Sequence, residues 1–199
     1  DLITGLSPVI AIEQKTISRN PRSTVGTITE IYDLLRLLYA RAGDAYSYTT
    51  GERMVRFSDQ QIQDTLLKEH NGEEVLIMAP LIRGRKGHYR ELFELLLRQG
   101  FLRARVDGKV IDVSTRPRLD RYKVHDIELV VDRVKVSEAN RKRLVESCDT
   151  ALKQGKGNML VMGVKSEEVR YLSRHLMCPT SGLAYEEPEP NLFSFNSPY

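Results

Sequence analysis

The residue types best suited to catalysis are scattered along this 199-residue chain and form no recognisable active-site motif. Histidines occur at positions 70, 88, 125 and 175, and neither a His-x-x-x-His nor a Cys-x-x-Cys pair is present. Pairs of that kind present two metal ligands on one side of a helix or tight turn. Isolated histidines are more often surface residues or hydrogen-bonded core residues. The sequence therefore indicates neither a metal-dependent hydrolase nor a histidine-based one.

A glycine-containing segment near position 160 resembles a phosphate-binding loop only superficially. It runs from Gly157 to Gly163-Val164-Lys165-Ser166. In a true P-loop the lysine directly follows the last glycine, so that its ammonium reaches phosphates cradled by backbone amides. Here Val164 intervenes, and the glycine spacing is also wrong. We therefore expect a binding module and not a self-contained nucleotide hydrolase.

Basic residues are clustered, although the net charge of +3 does not by itself indicate a nucleic-acid partner. Between positions 83 and 105 only Glu91 and Glu94 oppose a basic series. That series is Arg83, Arg85, Lys86, Arg90, Arg98, Arg103 and Arg105. Such clusters are typical of a solvated face, or of a surface for phosphates or an acidic protein.

The segment from Gln14 to Gly26 places Lys15, Arg19 and Arg22 before a predicted helix, with no acid among them. Backbone amides at a helix start, together with arginine and lysine, suit an anion or a nucleotide phosphate. A well-hydrogen-bonded loop is the alternative interpretation.

Composition and cysteine usage favour a soluble cytoplasmic protein. The chain is 41% hydrophobic and 29% charged, and its longest apolar run, Val75–Ile82, is far shorter than the roughly 18 residues of a membrane span. Only Cys148 and Cys178 are present. Cys148 falls on the apolar face of a predicted helix, as a small buried side chain would, and nothing argues for a disulfide, which favours a reducing compartment.

Capping patterns predict where two helices begin. Thr27 and Glu30 have capping-box spacing, which predicts a helix that runs to about Arg41 and ends at Gly43. Ser58 and Gln61 open a shorter helix in the same way, and it stops near position 70.

Strand and helix patterns then alternate, which predicts an α+β fold. We expect strands at 73–82, 101–106, 109–113 and 125–136, helices at 87–99 and after Ser137, and an Asp107-Gly108 hairpin turn. In the last strand, Ile127, Leu129 and Val131 should share one face, and Glu128, Val130 and Asp132 the other. A basic loop occupies 116–123. We expect this unit to span 58–153, with a strand at 158–163 and a helix at 166–175 outside it.

Seven blocks of the sequence are recognisable: Gly5–Thr16, Asn20–Thr27, Glu30–Asp33, Ala79–Gly87, Gln99–Gly108, Val130–Arg133 and Glu189–Pro198. They closely resemble the UvrA family, the damage-sensing ATPase subunit of bacterial nucleotide excision repair. The blocks are collinear and cover nearly the whole chain. The resemblance implies an ABC-type ATPase that forms a homodimer, scans DNA for lesions and delivers UvrB to them. It also implies that this chain is an internal piece of that protein.

The resemblance implies roles for residues near the beginning of the chain. Gln14 matches the Q-loop glutamine, which couples the γ-phosphate of ATP and Mg²⁺ to movement of the helical signature domain. Lys15, Arg19 and Arg22 match the basic loop of the family, where DNA contact is expected. The Walker A, signature and Walker B motifs lie outside the sequence, so the fragment itself should not hydrolyse ATP.

The α+β unit at 58–153 resembles the small mixed α/β UvrB-binding domain, which is inserted into a mainly helical signature domain. Residues 1–50 and 155–199 would be segments of that signature domain. Arg103 and Arg133 match positions that form charge pairs with acidic residues of UvrB, and Arg83, Arg85 and Lys86 would enlarge the positive face. The alternative is a DNA-contacting fragment of a divergent paralogue that does not bind UvrB.

The chain departs from the family pattern at its zinc motifs. The stretch Asp44-Ala45-Tyr46-Ser47-Tyr48 stands where the family often has Cys-Pro-x-x-Gly. The later pair is reduced to Cys178, because Ser181 replaces its second cysteine. A tetrahedral zinc site needs four nitrogen or sulfur ligands, so we expect no zinc here and regard Cys178 as a remnant.

Overall fold

The structure, a computed structural model, describes residues 25–185 and 187–197. The residues matched to the Q-loop and its basic loop (Gln14, Lys15, Arg19 and Arg22) lie outside the described part, so their roles stay predictions. The described residues form two compact units, one containing 25–43 and 188–197, the other containing 44–185 and 187. No helix of the described part is both long and apolar enough to cross a membrane.

The smaller unit is built on helices α1 (Val25–Ile28) and α2 (Ile31–Ala42) and a 3₁₀ turn at Pro190–Phe193. The Tyr32 ring stacks on Phe195 with ring centroids 4.7 Å apart. The predicted end of α2 is confirmed, because Gly43 caps it and donates its N–H to the Tyr39 carbonyl. The predicted capping box is wrong. α2 begins at Ile31 after Glu30, whose φ of 62° is left-handed and whose side chain makes no capping bond.

The larger unit is a six-stranded antiparallel sheet in the order β3-β2-β4-β1-β5-β6, which confirms the α+β class. Its strands are β1 (Glu74–Lys86), β2 (Arg103–Val106), β3 (Lys109–Asp112), β4 (Val124–Lys135), β5 (Asn158–Gly163) and β6 (Val169–Ser173). A separate pair is formed by β7 (Leu176–Met177) and β8 (Ala184–Tyr185). Helices α3 (Asp59–Glu69), α4 (Arg90–Arg98) and α5 (Arg141–Gln154) supply Ile62, Phe93, Leu144 and Leu152 to the core.

Two of the three local patterns used to predict turns and helix starts in this unit are confirmed. The Ser58–Gln61 capping box is confirmed, and so is the Asp107-Gly108 turn, with φ of 48° and 83° as a type I′ turn requires. Ser137 does not cap the next helix as predicted. A 3₁₀ turn at Glu138–Asn140 intervenes, and α5 begins at Arg141.

The segment after α5 corrects two predictions. β5 pairs with β1 and is therefore part of the sheet, not a strand outside it. The predicted helix at 166–175 is instead strand β6, in which Leu172 enters the core while Tyr171 faces the opposite side. The Val55 N–H also donates to the Met177 carbonyl, so the unit reaches beyond both predicted boundaries of 58–153. Assignment of the remaining segments to a signature domain stays a prediction.

A β-bulge in β4 decides which side chains reach each face of the sheet. Ile77 of β1 pairs with Asp132, whereas its neighbour Met78 pairs with Val130, so Val131 is the extra residue. The predicted strict alternation therefore fails after Val130. Asp132 turns to the helical side, where it accepts two hydrogen bonds from Arg143 of α5.

Candidate protein-binding surface

The face of the sheet opposite helices α3, α4 and α5, hereafter the outer face, has its own apolar centre. Leu76 and Met78 of β1, Val130 of β4 and Leu160 of β5 form a separate buried cluster. Met162, Val169 and Tyr171 pack against its β5–β6 side. On the opposite side of this cluster, the outer-face positions of β2 and β4 carry charged residues.

The structure brings Arg103 and Arg133 to the same region of the outer face, although the sequence separates them by 30 residues. Ala104 of β2 is opposite Leu129 of β4, so Arg103 lies beside Val130. The bulge makes Arg133, opposite Leu76, the next outer-face position of β4 after Val130. Both arginines are exposed. They therefore occupy adjacent strands at neighbouring positions, as two residues that contact one partner should.

Arg133 is held in place without being buried. Its Nη2 lies 2.7 Å from Oε2 of Glu74. The hydrogen bond and charge of Arg133 lower the pKa of Glu74, and those of Glu74 raise the pKa of Arg133. Because both side chains are about half exposed, solvent screens this ion pair and its net contribution to stability is small. A carboxylate on a partner could replace Glu74 at little energetic cost.

Arg105 and Glu128 form a largely buried ion pair that the sequence did not indicate as part of the site. Arg105 Nη1 lies 3.2 Å from Glu128 Oε1, and Glu128 is only 6% exposed. Burial raises the pKa of Glu128 more than the neighbouring Arg105 lowers it. Arg105 Nε and Glu128 Oε2 have no hydrogen-bond partner within the described residues. The only sequence signal was an acid between the apolar residues Ile127 and Leu129.

Arg83 is a structural residue in this fold. Its guanidinium donates to the carbonyl oxygens of Gly182 at 2.5 Å and Ser181 at 3.2 Å, and it lies 4.9 Å from the centre of the Tyr171 ring. These contacts fasten the segment after β7 over the outer face. A half-buried guanidinium committed to two carbonyls cannot enlarge a free positive face as predicted.

Arg85 and Lys86 are exposed but lie away from Arg133. They pair in register with His125 and Val124 at the beginning of β4, whereas Arg133 pairs with Leu76. Leu76 and Arg85 are nine residues apart on one strand, which corresponds to roughly 30 Å. The predicted basic surface is therefore two surfaces, and a role for Arg85 and Lys86 beside Arg103 and Arg133 has no support in the geometry.

Cys178 is fully buried, and no group of three candidate metal ligands occurs within the part of the chain that the structure describes. Its sulfur accepts the Ser181 N–H at 3.5 Å and lies 3.3 Å from Thr50 Oγ1. Burial raises the pKa of this thiol, but the hydrogen bonds from Ser181 and Thr50 outweigh it and lower the pKa. The turn is thus closed by hydrogen bonds, and whether the whole protein carries zinc elsewhere stays a prediction.

An antiparallel sheet with helices on one face and exposed arginines on the other defines an α+β interaction module. The chain matches the family model described as the UvrA interaction domain over residues 58–165, more than half of its length. It belongs to that family.

Similarity to known proteins extends over the whole chain. It is 48% identical to UvrABC system protein A of Thermus thermophilus over 99% of its length. Identity is 47% with the protein of that name from Methanothermobacter thermautotrophicus and 43% with that from Deinococcus radiodurans, each over 100% of the chain. The chain spans only about a fifth of the length of these relatives.

Proposed function

We propose that this chain is the UvrB-binding part of a UvrA-type ATPase that recognises DNA damage and loads UvrB in nucleotide excision repair. The observation that carries the proposal is the placement of Arg103 and Arg133 at neighbouring positions of the outer face, within a domain of the UvrA interaction family. Their guanidinium groups would pair with carboxylates of UvrB, which gives orientation as well as electrostatic attraction.

Arg103 and Arg133 are both accessible to such a partner, because both side chains are exposed and the Glu74 side chain that bonds to Arg133 is itself about half exposed. All the relatives above are named UvrABC system protein A, which favours this function over a divergent paralogue that does not bind UvrB.

For the whole protein we propose the remaining roles from family resemblance alone. Gln14 would couple ATP and Mg²⁺ to domain movement, and Lys15, Arg19 and Arg22 would approach DNA. ATP hydrolysis, zinc binding, homodimer formation and a cytoplasmic location would belong to that parent protein. The contribution of this chain would be docking and not catalysis.

The proposal is tested by titrating the chain with UvrB by calorimetry, with Arg103→Glu and Arg133→Glu as variants. Charge reversal places two carboxylates against each other, so each variant should weaken binding by at least about tenfold, or about 1.4 kcal/mol. Lys142→Glu is the matched control, because Lys142 is an exposed cation on α5, on the other side of the sheet. It should bind within about twofold of wild type.

Two results would contradict the proposal in different ways. If wild type does not bind UvrB, the function itself is wrong. If wild type binds and both arginine variants bind equally well, the function stands but the outer face is not the interface.

A further inference from the structure

The end of the sheet farthest from Arg133, hereafter the basic end, carries a second group of cations. It is formed where β1 finishes, where the Asp107-Gly108 turn joins β2 to β3, and where the loop at 116–123 leads into β4. Its exposed cations come from these three separate segments: Arg85, Lys86, Lys109, Arg118, Arg121 and Lys123. The resemblance to the UvrA family assigned no function to the loop at 116–123.

The acidic residues of the basic end are occupied by hydrogen bonds within the domain. Asp107 accepts from His125 Nδ1 at 2.7 Å and from the Asp126 N–H at 2.9 Å. The Asp126 carboxylate accepts the Gly84 N–H at 2.7 Å, and the Asp120 carboxylate accepts the Tyr122 N–H at 3.0 Å.

Each carboxylate thus satisfies a donor of the fold and is not directed at any of these six cations. None of the six cations forms an ion pair within residues 25–185 and 187–197. Their positive charge is available to a ligand.

His125 fixes the loop at 116–123 to the hairpin. It is buried, and its two ring nitrogens both face oxygen atoms, the Asp107 carboxylate at 2.7 Å and the Asp120 carbonyl at 2.9 Å. An imidazole satisfies two acceptors only when both of its nitrogens carry protons. The doubly protonated form of His125 thus ties the loop to the hairpin through both ring nitrogens, and the lysine and arginine side chains of the loop are exposed.

Tyr122 is the feature that distinguishes this surface from an ordinary solvated basic loop. Its ring is 72% exposed, it lies between Arg121 and Lys123 in the chain, and the Arg121 guanidinium is 5.0 Å from the ring centre. A partner with carboxylates alone would need only the positive charges. A flat aromatic surface next to an arginine suits the stacking of an unpaired base.

We propose that the basic end binds single-stranded nucleic acid, with the cations contacting phosphates and Tyr122 stacking on a base. The three protein segments that carry the cations would lie along the sugar-phosphate backbone of the bound nucleic acid. Arg85 lies roughly 30 Å along β1 from the residue opposite Arg133, so this surface is separate from the one proposed for UvrB. It stands or falls independently of that function.

The test measures binding of a fluorescent oligothymidine of about 15 nucleotides to the full chain by anisotropy, at about 50 mM salt. Two double variants, Arg121→Glu with Lys123→Glu and Arg103→Glu with Arg133→Glu, change the net charge equally. If the basic end is the site, the first should weaken binding at least about tenfold and the second by less than about threefold. The salt dependence of the first should also decrease, by about 0.7 in logarithmic slope for each lost phosphate contact.

A second pair of variants tests stacking. Tyr122→Ala should weaken binding about tenfold, whereas Tyr122→Phe, which keeps the ring, should bind within about twofold of wild type. Tyr46→Ala is the control, because Tyr46 is another exposed tyrosine of the same unit.

Three results would overturn the proposal: no binding by wild type, equal losses in the two charge-matched variants, or no loss in Tyr122→Ala. Equally tight binding of a polyglutamate peptide would also overturn it, since the surface would then recognise acidic protein.

Discussion

At the scale of single residues, His125 links the protonation state of the protein to the order of its basic end. Hydrogen bonds from His125 to Asp107 and to the Asp120 carbonyl stabilise the imidazolium and raise the pKa of His125 despite its burial. A group with a raised folded-state pKa stabilises the protein below its unfolded pKa of about 6.5. That stabilisation disappears as the pH rises through the folded-state value.

We therefore expect the free energy of unfolding of wild type to fall, relative to that of His125→Gln, as the pH rises above about 6.5. Glutamine can bond to the same oxygens but carries no charge, so it removes the titration and keeps a polar side chain. Urea denaturation at several pH values measures the difference. If the difference between the two proteins is the same at all of these pH values, folding does not raise the pKa of His125.

The buried ion pair of Arg105 and Glu128 could not be predicted from the sequence. An acid between two apolar residues can be buried or exposed, and only strand pairing decides which. The structure places Glu128 opposite Arg105, and that register depends on residues far along the chain.

At the scale of secondary-structure elements, Ser58 begins α3 with the only predicted capping box that the structure confirms. The Gln61 N–H donates to Ser58 Oγ at 3.3 Å, and the Ser58 N–H donates to Gln61 Oε1 at 2.8 Å. Ser58→Ala should lower the free energy of unfolding by about 1 kcal/mol, because a helix donor loses its acceptor. Ser58→Asp, which keeps an acceptor, should remain within about 0.5 kcal/mol of wild type. Urea denaturation would refute this if the alanine variant were as stable as wild type.

The elements that were predicted correctly are determined by residues next to each other in the sequence. The elements that were predicted wrongly depend on pairing with residues far away in the sequence. The Asp107-Gly108 turn needs only two residues with positive φ. By contrast, Val169 and Leu172 have a spacing that fits a helix, and only pairing with β5 makes the segment a strand. The contact of Arg83 with the Gly182 carbonyl joins residues 99 positions apart, which no local pattern can indicate.

The candidate site also combines local and distant information. The family resemblance predicts that Arg103 and Arg133 contact UvrB, and the structure places them at neighbouring positions, but their role stays a prediction. Arg85 and Lys86 are near Arg103 in the sequence, and the sequence alone therefore predicts one surface for all four residues. The length of β1 separates Arg85 and Lys86 from Arg133.

At the scale of the whole molecule, the folding unit is larger than the predicted 58–153 segment. β5 and β6 contribute Met159, Val161 and Leu172 to the core shared by the sheet and its helices. A fragment of residues 44–187 should therefore unfold in one cooperative transition, whereas a 58–153 fragment should show none, because the β1 edge and this part of the core would be exposed. Circular dichroism during urea denaturation distinguishes the two, and cooperative unfolding of the shorter fragment would contradict the assignment.

The extra residue Val131 has a further consequence for how this domain can change over time. Asp132 already pairs with Ile77, the neighbour of the residue that pairs with Val130, so deleting Val131 would leave a regular strand with Arg133 still on the outer face and Val134 still in the core. Inserting a residue between Asp132 and Arg133 would instead turn Arg133 toward α5 and Val134 toward solvent. The bulge is therefore a place where β4 can lose one residue in evolution and keep both the binding surface and the core, whereas a change of length after it would destroy the two together.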